Sequence, residues 1–162
     1  IMKIPGIENK KVENPVSQID LVPTLLEAMN QEVPDHLEGY SWMPYLKDKE
    51  KLTEENVFME WNGYNCGLGN EVGGKAKILD CWQGIASEEE IQKSIGDPIR
   101  TVVTSKGWKF NWRKYGINQL YNLKKDPHET ENLVLNGDHP EIIEELKDKI
   151  RNWQQRTGDN LA

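Results

Sequence analysis

Histidine, serine, cysteine and glycine carry most enzyme chemistry, but only in certain spacings, and in this chain the spacings do not form. His36, His128 and His139 stand in separate loops with no H-x-x-H or H-E-x-x-H pattern, so no helix face offers two imidazoles to a metal. Asp138-His139 has the types of a metal pair, but both precede a helix, where capping is the expected role. His128 follows Asp126-Pro127 and fits a turn at a strand end. Ser17, Ser41, Ser87, Ser94 and Ser105 lack the G-x-S-x-G context that exposes a nucleophilic hydroxyl. Gly67-Leu68-Gly69 does not lead into a helix start, so it forms no phosphate cradle. Cys66 and Cys81 fit no metal spacing; they could pair in an oxidising compartment, but two cysteines do not fix a compartment, and free thiols are expected.

The bulk numbers narrow the class. In 162 residues the hydrophobic share is 36%, polar for a self-contained domain, yet six Trp and five Tyr argue against disorder. That combination suits a domain that packs its few large anchors against a partner surface. Net charge is -7, and Lys and Arg are scattered among Asp and Glu. A nucleic-acid role needs a basic footprint, which the sequence does not offer. No apolar run approaches the roughly 18 residues needed to cross a bilayer. Ile1-Met2-Lys3-Ile4 lacks the pattern of a signal peptide and reads as a short buried strand ended by Pro5-Gly6. A buried strand at residue one leads us to expect a chain cut from something longer.

The elements follow from periodicity. Val22, Leu25, Leu26 and Met29 mark one face of a helix that Ser17 and Asp20 cap as a box, with Pro23 in its first turn and an end near Asn30. Gly39 to Leu46 is a turn and a short apolar segment, and charged residues 47–55 make the best boundary. Val57 to Trp61 reads as a strand, and 62–97 as a glycine-rich irregular insertion with one helix from the N-cap Ser87 to Ser94. Arg100–Thr104 and Trp108–Trp112 form a hairpin around Ser105-Lys106-Gly107, with Trp108, Phe110 and Trp112 on one face and Lys109 and Asn111 on the other. Gln119–Leu123 is a further strand. A last helix carries Ile142, Ile143, Leu146, Ile150 and Trp153 on one face, with Asp138 and Glu141 as caps, Pro140 in its first turn, a Glu145–Lys149 pair and Gly158 as terminator. The class is α+β, a small antiparallel sheet of about four strands covered on one face by a C-terminal helix.

Three stretches together resemble the sulfatase family of the alkaline-phosphatase superfamily. The first runs from Val16-Ser17-Gln18-Ile19-Asp20 through Pro23-Thr24-Leu25-Leu26 and Pro34 to Gly39-Tyr40-Ser41-Trp42-Met43-Pro44-Tyr45-Leu46. The second is Arg100–Thr104 followed by Gly107-Trp108-Lys109-Phe110. The third, Gln119-Leu120-Tyr121-Asn122-Leu123-Lys124-Lys125-Asp126-Pro127-His128-Glu129-Thr130-Glu131-Asn132-Leu133, is similar to the family pattern E-L-Y-D-L-x-x-D-P-x-E-x-x-N-L, with Gln119 and Asn122 in place of acids. Their order and spacing cover nearly the whole chain apart from the insertion.

The resemblance implies that residues 1–50 are the tail of an N-terminal α/β catalytic domain, contributing a strand and a helix, and that 51–162 are the C-terminal subdomain. It implies no catalytic or metal residue here: neither Cys66 nor Cys81 lies in a C/S-x-P-x-R motif, and calcium and the formylglycine nucleophile are expected in the catalytic domain. Sulfate-ester hydrolysis needs a nucleophile and a divalent cation, so the chain alone is expected to be inactive. What it can supply is the shape of the substrate cleft. By the resemblance, Glu60, Trp61 and Asn62 and the loop 63–97 face substrate, where a Trp beside acid and amide groups suits a sugar ring; Arg100 can meet an anionic group. The opposing expectation is that Trp61 is core and Glu60 solvated. The function expected is that of a sulfuric ester hydrolase for a sulfated carbohydrate. The alternatives are a related phosphoester or phosphonate hydrolase and a non-catalytic carbohydrate-binding module. The expected partners are the catalytic domain and the sulfate ester, not nucleic acid or membrane, with self-association through an exposed apolar patch at Ile1–Ile4 and Val22–Met29. Bacterial members of the family are often periplasmic.

Overall fold

The computed structural model of the chain describes residues 2–48, 56–63 and 84–160. Cys66, Cys81, most of the 62–97 insertion and most of the 47–55 boundary lie outside the described residues. The chain divides into two compact units, Ile1–Val57 with Val103–Lys106, and Phe58–Val102 with Gly107–Ala162.

In the first unit a 3-10 turn, Gln18–Asp20, runs into helix α1, Leu21–Ala28, and a single turn, α2, spans Met43–Leu46. The expected capping box is half of a larger latch. Asp20 Oδ2 accepts the Ser17 amide at 3.1 Å and the Trp42 indole N–H at 3.3 Å, while Oδ1 accepts the Tyr40 amide at 3.0 Å. Thr24 Oγ1 donates to the Asp20 carbonyl at 2.6 Å and accepts the Trp42 amide at 3.0 Å. Asp20 and Thr24 therefore hold residues 40–42 against the helix they belong to, satisfying amides that irregular backbone would otherwise leave unpaired. The buried side of α1 is Pro23 and Thr24, with Met43 buried on α2. Its apolar face looks outward: Ile19 is 58%, Val22 51% and Met29 59% exposed.

The expected strand at Ile1–Ile4 does not form in the described part, residues 2–4. Met2, Lys3, Pro5 and Gly6 are exposed, and the Ile7 amide donates to the Ile4 carbonyl at 3.2 Å across a turn. Apolar residues make a strand only where another strand takes up their backbone groups, and none does so here among the described residues. Further along, Lys10 ties the extended segment to α2 through the Tyr45 carbonyl at 2.8 Å and the Asp48 carboxylate.

The sheet has the order β1-β2-β3-β4, with β1 Asn56–Trp61, β2 Ile99–Thr104, β3 Trp108–Arg113 and β4 Gln119–Asn122, and is antiparallel. Between β1 and β2 lies helix α3, Glu88–Gly96, capped as expected by Ser87, whose hydroxyl accepts the Glu90 amide at 3.3 Å. The β3–β4 register places Phe110 opposite Leu120 and Trp108 opposite Asn122. On that face lies helix α4, Pro140–Thr157. Val102, Phe110, Leu120, Leu146 and Ile150 form the buried core, with Phe58, Trp108, Trp112, Ile142 and Ile143 packed around it. Trp153 stacks on Phe58 with ring centroids 5.3 Å apart. The opposite face carries a polar ladder beside the buried Tyr121: Thr101 donates to Asn111 at 2.8 Å, and Asn111 to Gln119 at 2.9 Å.

One cap differs from expectation. The N-cap of α4 is His139, not Asp138, and its side chain caps nothing. It adopts the left-handed conformation, φ 61°, and meets Trp108 edge-on at 5.2 Å. The conformation aims its side chain at the core-flanking aromatic instead of at the helix amides.

After β4 the D-P-x-E-x-x-N-L stretch is a knot of backbone bonds. Asp126 accepts the Glu131 amide at 3.0 Å and the Thr130 hydroxyl at 3.1 Å. Asn132 Oδ1 accepts the amides of Leu120 and Val134, and its Nδ2 donates to the Asn118 carbonyl at 3.0 Å. Glu129 pairs with Lys109 at 2.7 Å on the polar face. The family-like motif thus fastens the approach to α4 onto the sheet. Truncating the core should be costly and truncating the surface should not: Phe110→Ala is expected to lower unfolding free energy by about 3–5 kcal/mol, and Leu135→Ala by less than about 0.5 kcal/mol, in urea denaturation.

Candidate functional site

The last residues of β1 were expected to face substrate, and what holds them is specific. Glu60 is exposed at the strand end. Trp61 is half-buried and pinned twice: its indole N–H donates to the Ile95 carbonyl at 3.1 Å, and its own carbonyl accepts Arg100 Nη1 at 3.3 Å. Asn62 is half-buried, and its Oδ1 is enclosed without a hydrogen-bond partner among the described residues. Gly63 has φ 61°, and a Cβ there would lie 2.5 Å from the Gly96 carbonyl oxygen, so only glycine lets the chain pass so close to the end of α3. The structure therefore links Trp61 with Arg100 and leaves Glu60 apart in solvent.

Arg100 is 4% exposed, and its guanidinium is occupied from within. Asp159, just past α4, takes it in a fork, Nε to Oδ2 at 2.5 Å and Nη2 to Oδ1 at 2.7 Å, and Gln154 adds a bond to Oδ2 at 3.1 Å. Such two-point pairing matches the planar guanidinium to a carboxylate. Nη1 is shared between the carbonyls of Trp61 and Ile99.

A second buried carboxylate stands where α3 meets β2. Asp97, 1% exposed, accepts the Tyr115 amide at 2.9 Å, the Gly116 amide at 2.9 Å and Arg113 Nε at 2.8 Å. Burial favours its neutral form, but those two amides and the guanidinium outweigh it and hold the carboxyl below the ordinary Asp range. Neither Asp97 nor Asp159 was singled out in the sequence, because nothing local pairs residue 97 with 113 or 100 with 159. The one cue is that an unpaired Arg within a strand of β-branched residues requires a buried counter-charge. Along α3 a shallow hollow is lined by Ile85, Ala86, Glu90, Ile91, Ser94 and Ile95. Glu90 there is committed to Ser87, whose hydroxyl and amide lower its pKa. Among the described residues no three His, Cys, Asp or Glu side chains converge on one point.

No protein-family model matches the chain. An ulvan-active sulfatase of Formosa agariphila is 26% identical over 148 residues, covering 88% of this chain and 29% of that protein. The chain is homologous to the C-terminal region of sulfatases. Solved structures agree on the fold: a 2-O GAG sulfatase superposes with TM-score 0.68 at 24% identity over 96% of this chain and 29% of its own, and a phosphonate monoester hydrolase of Agrobacterium radiobacter with TM-score 0.60 at 23% identity over 90% and 26%. The chain spans under a third of the length of these sulfatases. Among the described residues the buried ions at the strand ends, Asp97 and Arg100, are each paired internally, with Arg113 and Asp159.

The Asp97 arrangement makes stability depend on acid. Because folding lowers the Asp97 pKa, its contribution is whole above the unfolded-state value of about 3.9 and is lost as pH falls from there through the folded-state value. Asp97→Asn is expected to cost about 2 kcal/mol at pH 7 and to flatten the loss of stability below about pH 4 in urea titrations.

Proposed function

We propose that this chain is the C-terminal region of a sulfuric ester hydrolase acting on a sulfated carbohydrate, and that it shapes the substrate cleft without taking part in bond cleavage. What supports the reading is the match along 88% of the chain to an ulvan-active sulfatase, joined to a fold match with a 2-O GAG sulfatase over 96% of it. The formylglycine nucleophile and calcium of such a reaction belong, on this reading, to a catalytic domain outside this chain. The outward apolar face of the first unit, Val16, Ile19, Leu21, Val22, Leu25 and Met29, is the surface on which that domain docks. Uncovered, the same face causes the isolated chain to self-associate, since contiguous exposed apolar area drives association.

At the cleft, Glu60 and the ring of Trp61 meet the sugar. The indole N–H is already committed to Ile95, so Trp61 offers its apolar face, and Glu60 offers hydrogen bonds to hydroxyls. The second reading, a phosphonate monoester hydrolase, is favoured by the TM-score 0.60 neighbour, because the same C-terminal fold serves both ester classes.

The test is to express the product of the whole reading frame that contains this chain and to assay it on sulfated monosaccharides and a phosphonate monoester. Sulfate release in excess over phosphonate cleavage is expected, and the reverse order would assign the second reading. Neither activity, with no nucleophile motif in the frame, would leave a binding module. Glu60→Gln should keep stability within about 0.5 kcal/mol while raising KM for the sulfated sugar roughly tenfold, as a lost hydrogen bond to a charged group predicts.

A further inference from the structure

We propose that Asp159 is a positioning residue for the Glu60–Trp61–Asn62 segment, acting through Arg100. The proposal rests on that segment facing substrate, and it deepens that reading by placing one of its determinants at the far end of the chain.

The connection is continuous. Gly158, φ 72°, turns the chain back at the end of α4, and the Asp159 amide donates to the Gln154 carbonyl at 3.0 Å. This fixes the Asp159 carboxylate, which the Gln154 amide also holds at 3.1 Å. The carboxylate takes Nε and Nη2 of Arg100 at 2.5 and 2.7 Å, so the guanidinium plane has one orientation. In that orientation the remaining nitrogen, Nη1, reaches the carbonyl of Trp61 at 3.3 Å. Trp61 is the middle residue of the segment, and its other anchor is the indole bond to Ile95 at 3.1 Å. The carbonyl bond locks the strand end and the indole bond locks the ring, so together they set the ring's tilt and the exit direction of Asn62.

A flexible lysine at residue 100 would not do this, because an ammonium has no plane to transmit. Nor would Arg100 without its partner: a buried guanidinium lacking a carboxylate moves toward water or draws water in. Arg100 is 4% exposed and the Asp159 side chain 11%, so the pair is shielded from salt, unlike a surface bridge. Arg100 does not itself touch substrate on this account. Its charge is spent on Asp159, and its effect on the cleft passes through Trp61.

The experiment uses the whole reading-frame product carrying Asp159→Asn, with Asp159→Glu as the variant that keeps the carboxylate. Hydrogen exchange is read at the Trp61 indole and at the amides of 60–63, against the β3–β4 amides as an internal control. Exchange at Trp61 and 60–63 is expected to rise about tenfold or more in Asp159→Asn with the β3–β4 amides unchanged, and to return toward wild type in Asp159→Glu. On a sulfated monosaccharide that the wild type hydrolyses, KM is expected to rise roughly tenfold with kcat within about twofold. A uniform rise across all amides, or no rise at Trp61, overturns the proposal. So does local exchange at Trp61 with KM unchanged, since the segment then does not set substrate affinity. A wild type that hydrolyses no sulfate ester sinks the functional reading instead, and the exchange result still decides whether Asp159 positions Trp61.

Discussion

Burial of one narrow apolar seam is the constraint on which the rest of the structure depends. A chain with 36% hydrophobic residues has few large side chains to spend, and here they converge on a single line between α4 and the sheet. Phe110 and Leu120 meet across the β3–β4 register, and Leu146 and Ile150 press onto them from the helix. Among the described residues the sheet's other face carries the polar pairs of Thr101, Asn111 and Gln119 beside the buried Tyr121, and the apolar side chains gather in the seam against α4. The register of β3 and β4 follows, since a shift of one residue would turn Phe110 outward.

Given that seam, the polar residues of the family-like motifs act as fasteners. Asp20, Asp126 and Asn132 each accept a backbone amide from an irregular segment, and Asp97 does the same beside an arginine. Loops that cannot satisfy their own amides need such acceptors when they are pressed against a core. The polar residues in the stretches with the strongest family character are thus used to hold backbone. In the same way Gln119 and Asn122 can stand where the family pattern has acids: Gln119 Oε1 accepts from Asn111 and Asn122 Oδ1 from the Lys124 amide, roles that need an acceptor oxygen and not a charge.

The end of β1 is held by the same logic carried to charged groups. Arginine inside a strand is tolerated because Asp159 neutralises it, and the pair then braces the strand end that carries Trp61. Trp61 is committed through its indole N–H yet only half-buried.

The element order, the hairpin, the Ser87 cap, the core face of α4 and the outward apolar face of α1 were legible in the sequence, because each rests on periods of two or 3.6 or on caps within four residues. The described residues 2–4 form no strand; apolar composition does not reveal whether a partner strand is present. The N-cap of α4 was misread because His139 takes a left-handed backbone that its residue type does not announce. Glu60, Trp61 and Asn62 were singled out by resemblance, while the groups that hold Trp61 were not. Asp97 with Arg113, and Arg100 with Asp159, join residues 16 and 59 positions apart. Local pattern carries information over a turn or a strand. A buried ion finds its counter-ion only once the core has closed around both, so that choice belongs to the tertiary structure.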